Sequence, residues 1–110
     1  MCGYDILSQR SADDGNKLLI EVKTSSKPIH EANAIVSRHE WNAARLNNNL
    51  KRYFFYFWCI QSKEAQLAVV SVDEMEHHIP VDSEYGFWEN ASIPFEAFAD
   101  RFKVVQGTYL

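Results

Sequence analysis

The sequence predicts an α/β sandwich built on a mixed β-sheet, as one domain over residues 1–110. Three stretches carry that prediction. "GYDILSQ" and "LLIEVKTSS" are β-rich and flank a cluster of turn formers, "SADDGN". "SRHE" places Ser37 three residues before Glu40, the pattern of a capping box that opens a helix. "YFFYFWCI" is an apolar run of eight residues, too short for a typical helix and suited to a central strand.

In chain order, residues Gly3 to Gln9 and Lys17 to Thr24 form a β-hairpin around the Asp-Gly-containing loop. "SSKPIHEANA" is a polar connector broken by Pro28. The helix begins after Ser37, turns Trp41 and Ala44 to the core, and ends in the run Asn47 to Asn49. Tyr53 to Ile60 reads as a strand covered on both faces, because polar residues do not interrupt it. "AQLAVVSV" is a further strand, "DEMEHH" a short helix stopped by Pro80, and "RFKVV" an edge strand. The order is β-β-α-β-β with a mixed tail, and residues 72–110 receive no functional account.

The size suits a single core, and hydrophobic residues at 46% exceed what a disordered chain carries. Eleven Lys and Arg against fifteen Asp and Glu leave a net charge of -4, which argues against a broadly basic nucleic-acid surface but not against a local one. Cys2 and Cys59 form no metal-ligand spacing and read as free thiols of a reducing compartment. No apolar run approaches the roughly 20 residues that span a bilayer, and "MCGYDILSQR" lacks the features of a signal peptide. The expected location is cytoplasmic, without a membrane partner.

Glu21 and Lys23 lie two apart in a strand, so their side chains share a face. "EVK" is the one acidic-x-Lys triplet in the chain, and Asp5 precedes Glu21 by sixteen residues on the partner strand. A favourable register brings Asp5 near Glu21. Two carboxylates are hard-oxygen ligands for Mg²⁺ or Mn²⁺, with the Val22 carbonyl as a third donor. Lys23 beside them could orient a water or stabilise developing negative charge. A solvated Glu–Lys pair, contributing at most about 1 kcal/mol, explains the same spacing. Glu40 could approach the metal from the helix, or simply close its capping box. Arg38, Arg45, Lys51 and Arg52 could hold phosphates, or cover a solvated helix. "HEW" lacks the second His of a zinc-protease helix, and neither a phosphate-binding Gly-rich loop nor a Gly-x-Ser-x-Gly elbow occurs.

The motifs "GYDILSQ", "LLIEVKTSS", "RHEW" and "YFFY", in that order, resemble the PD-(D/E)XK nuclease superfamily. Within it they look most like the restriction-endonuclease-like domain found at the C-terminus of the plant NO VEIN protein and in many bacterial proteins. The likeness covers Gly3 to Ile60. It implies a restriction-endonuclease-like mixed sheet with flanking helices and a Mg²⁺- or Mn²⁺-dependent hydrolysis of DNA phosphodiesters. Asp5, Glu21 and Lys23 fall on the catalytic positions, with Asp5, Glu21 and the Val22 carbonyl on the metal. Such domains carry a helix before the Gly-aromatic-Asp strand, and only Met1 and Cys2 precede Gly3 here. The resemblance therefore implies a fragment of a longer protein, or a site completed by additional domains or a homodimer partner. A catalytically inactive relative, binding nucleic acid or a protein, is the alternative.

Overall fold

The computed structural model describes residues 6–9, 17–47, 53–82 and 86–105. Strand β1 (Ile6–Gln9) pairs antiparallel with β2 (Lys17–Ser25), as the hairpin expectation requires. A short strand, β3 (Asn33–Ser37), leads directly into helix α1 (Arg38–Asn47). Then follow β4 (Tyr53–Gln61), β5 (Glu64–Ser71) and the single-turn helix α2 (Val72–Glu76). Strand β6 (Asn90–Pro94), a 3₁₀ segment (Phe95–Arg101) and β7 (Lys103–Val104) complete the described chain.

The main sheet has the order β1-β2-β4-β5-β7, and β3 and β6 form a second, two-stranded antiparallel sheet. The main sheet is mixed: β2 and β4 run parallel, while the other pairs are antiparallel. A parallel pair needs a crossover, and β3 with α1 supplies it. The α/β class with a mixed sheet is as the sequence predicts. β7 pairs with β5 at one edge, matching the expectation for "RFKVV".

Side chains alternate along β4, and the odd positions Tyr53, Phe55, Phe57 and Cys59 are buried. Their face is covered by α1, α2, the small sheet and the 3₁₀ segment. Trp41 stacks on Phe55, with ring centroids 6.4 Å apart, and Phe57 lies between Phe95 and Phe98. The even positions, Phe54, Tyr56, Trp58 and Ile60, are only half-buried and lie outside this core. The expectation that β4 is covered on both faces is therefore corrected. Its position is central, but its even face is covered only in part, with Ile20 and Ala65 beside it buried outside the main core. The connector expectation is also corrected, because Asn33–Ser37 finds a strand partner in Asn90–Pro94. No sequence-local signal joins two segments so far apart.

Candidate active site

Burial in β2 sets up the site. Leu19 and Glu21 share the core-facing side of the strand, and Glu21 is the one buried charged side chain among the described residues, 1% exposed. Lys23 follows on the same side, toward the layer that holds α1. Ser37 caps that helix: its Oγ accepts from the Glu40 backbone N–H at 3.0 Å. The Ser37 backbone N–H in turn donates to Glu40 Oε1 at 2.8 Å. This is the capping box expected from the sequence.

Capping also aims Glu40 at the strand. Lys23 Nζ donates to both Glu40 oxygens at 3.0 Å each, and stands 3.1 Å from Glu21 Oε1. The two readings of Glu40 are thus not exclusive, since one carboxylate serves the cap and the cluster. Neither Glu21 oxygen has a hydrogen-bond partner of good geometry. A buried carboxyl without such partners is costly to ionise. Burial pushes Glu21 up, the Glu40 carboxyl beside it adds to the rise, and Lys23 only partly opposes them, leaving it at about 8. For Glu40, burial acts upward, but its interactions with Glu21, the Ser37 N–H and Lys23 outweigh it and hold the carboxylate at about 2. Burial works to lower Lys23, yet its hydrogen bonds and charge attraction to Glu40 and Glu21 prevail and raise it. The arrangement is two carboxyls bridged by one ammonium, with one carboxyl favouring its proton.

Of the other residues singled out in the sequence, Arg38 is committed elsewhere. Its guanidinium pairs with Asp82, Nε donates to the Trp88 carbonyl at 3.1 Å, and the charge lies 4.4 Å from the Trp88 ring centroid. Sequence reading missed Asp82 and Trp88 because they stand 44 and 50 positions away. Arg45 is exposed and lines a groove of about 330 Å³ with Arg38, Trp41 and Trp88. Asp5, Lys51 and Arg52 lie outside the described residues. Among the described residues, no three His, Cys, Asp or Glu side chains gather as a metal-ligand group, and no helix is long and apolar enough to cross a membrane.

No curated protein and no solved structure matches the chain. A family model described as "Protein NO VEIN, C-terminal" matches residues 1–75, about two thirds of the chain, including β2, α1 and the whole Glu21–Lys23–Glu40 cluster. The chain therefore belongs to the NO VEIN C-terminal family.

Proposed function

We propose that this domain is a metal-dependent nuclease of the PD-(D/E)XK type that hydrolyses DNA phosphodiester bonds. The observation that carries the reading is the buried Glu21 carboxyl, without a well-formed hydrogen bond and set beside Lys23 and Glu40. An apolar or hydrogen-bonded residue would be far less costly there, so ligand binding gives the buried acid a reason to exist.

The donor chemistry fits Mg²⁺ or Mn²⁺. Glu21 and Glu40 offer hard carboxylate oxygens, and the Val22 carbonyl belongs to the same strand. β1 and β2 are described as far as the pair Ile6↔Ile20. Asp5 lies outside the described residues and enters the proposal through the sequence motif alone, as the second carboxylate of the trio Asp5, Glu21 and Lys23. On this proposal Asp5, Glu21 and the Val22 carbonyl hold the cation. Such an ion, when bound, supplies Lewis-acid stabilisation of phosphoryl charge and a more acidic water. Glu21 must lose its proton to serve. Lys23 must release part of its contact with Glu40, and its ammonium then orients the attacking water or meets negative charge on the phosphate. Glu40 positions Lys23 and, through Ser37, fixes it to the start of α1. Arg45, Lys51 and Arg52 are proposed phosphate contacts.

The alternative is a catalytically inactive module that binds nucleic acid or a protein. The engagement of Arg38 by Asp82 and Trp88 favours it, because that cation is withdrawn from phosphate binding. Plasmid cleavage in Mg²⁺, in Mn²⁺ and in chelator, beside Glu21→Gln and Lys23→Ala, separates the two. The nuclease reading expects metal-dependent cleavage that falls at least a hundredfold in both variants. Calorimetric Mg²⁺ or Mn²⁺ binding should be lost in Glu21→Gln but retained in Lys23→Ala. A folded protein that binds neither ion and cuts nothing removes the nuclease reading.

A further inference from the structure

The start of α1 is held from a second direction, away from the charged cluster. Arg38, the first residue of the helix, pairs with Asp82, and its Nε donates to the Trp88 carbonyl at 3.1 Å. The guanidinium carbon lies 4.4 Å from the centroid of the Trp88 ring. Asp82 is engaged twice, because its Oδ1 also accepts from the Trp88 backbone N–H at 3.2 Å. One residue further on, the Glu89 carbonyl accepts from the Arg38 backbone N–H at 2.8 Å, and Ser37 pairs with Asn90 in the β3–β6 ladder. A half-exposed ion pair alone contributes little. Arg38, however, meets an acid, a carbonyl and an aromatic face together, which a planar guanidinium can satisfy and an ammonium cannot. Asp82, Trp88 and Glu89 lie beyond residues 1–75 that match the family model, whereas Glu21, Lys23 and Glu40 lie within them.

We propose that Arg38, Asp82 and Trp88 form a latch that positions Glu40, and through it Lys23, in the candidate active site. The link is short, because Ser37, Arg38 and Glu40 belong to the cap and first turn of α1. The first N–H groups of a helix lack intrahelical partners, so its opening turn frays most readily. Here the N–H groups of Arg38 and Glu40 are satisfied by Glu89 and Ser37. The Arg38 side chain adds a further tie. Positions 38 and 40 stand about 200° apart around the helix axis, so the latch holds one flank of the turn while Glu40 grips Lys23 on another. With the latch open, the turn is free to roll about its axis, and the two 3.0 Å contacts of Glu40 with Lys23 lengthen. Arg38 and Asp82 are positioning residues in this account, acting through α1 rather than on substrate. The consequence for cleavage rests on the nuclease reading; the consequence for the Glu40–Lys23 contact does not.

A double-mutant cycle in urea tests the coupling, with Asp82→Asn at the latch and Lys23→Met at the cluster. Asp82→Asn keeps an oxygen for the Trp88 N–H and removes the charge that holds Arg38. Independent substitutions multiply in the unfolding equilibrium constant to within about twofold. The expected result is a departure of about threefold or more, with the effect of Lys23→Met smaller once the latch is open. Trp88→Leu, which removes the ring beneath the guanidinium, repeats the cycle from a second side. In plasmid cleavage, Asp82→Asn and Trp88→Leu should lower kcat by about severalfold, with KM and Mn²⁺ affinity unchanged. Arg38→Lys should behave as they do rather than as the wild type. Effects that multiply independently in both cycles, or a change confined to KM, overturn the proposal. A chain that cuts nothing yet shows the coupling loses the nuclease reading and keeps the latch; cleavage without coupling does the reverse.

Discussion

Glu21 and Glu40 show how one ammonium divides two carboxyls. Lys23 binds both oxygens of Glu40, whereas the buried Glu21 meets it at one oxygen without good hydrogen-bond geometry. The consequence is an opposite dependence of stability on pH. Glu21 stands at about 8 against an ordinary 4.5, so the folded protein holds a proton that the unfolded chain releases. Its contribution is complete below about pH 4.5 and is lost as the pH rises through 8. Glu40 stands at about 2, so its contribution is complete above about 4.5 and is lost as the pH falls toward 2. The two groups titrate as a pair, and the window between these limits belongs to both. In chelator, the melting temperature should therefore fall between pH 5 and pH 9. Glu21→Gln should flatten that fall and be the more stable protein at pH 9, by about 1–3 kcal/mol. A wild-type melting temperature that rises over the same range would contradict the assignment.

At the scale of elements, the capping box joins the helix start to the cluster. Ser37→Ala removes the hydroxyl that accepts from the Glu40 N–H and should cost about 1 kcal/mol in urea denaturation. Because the cap also steadies Glu40, which positions Lys23, the same substitution should lower metal-dependent cleavage by severalfold while leaving Mn²⁺ affinity unchanged in calorimetry. Lost stability with unchanged cleavage would confine Ser37 to the cap. This box was legible in the sequence because its residues are three apart, and the β1–β2 hairpin was legible for the same local reason. Glu21 and Lys23 were placed on one face by strand periodicity alone. The meeting of Lys23 with Glu40 was not, since it depends on how the β3–α1 crossover packs against β2. Strand β3 escaped notice because its partner β6 lies beyond α1, β4, β5 and α2, among Pro and Gly breakers. The one-sided burial of β4 escaped for another reason. Both of its faces are apolar in sequence, and composition does not say which is covered.

For the molecule as a whole, that one-sidedness sets where stability resides. A domain of this size holds about 5–15 kcal/mol against unfolding. Phe57 is fully buried and contacts Phe95 at 5.1 Å and Phe98 at 5.5 Å between ring centroids. It thereby joins the main sheet to the 3₁₀ segment that follows β6. Trp58, its neighbour in the same strand, points to the opposite face and is half-buried, outside the core. Size alone would rank the tryptophan above the phenylalanine, but burial and cavity formation reverse the order. Phe57→Ala leaves a ring-sized void that rigid neighbours close only in part, and should cost about 3–5 kcal/mol. Trp58→Ala removes a side chain that stays partly in water and leaves no closed cavity, and should cost about 1–2 kcal/mol. Urea denaturation of the purified variants measures both. Equal losses at the two positions would mean that a second layer covers Trp58 within the single chain, and the two-layer architecture would have to be redrawn.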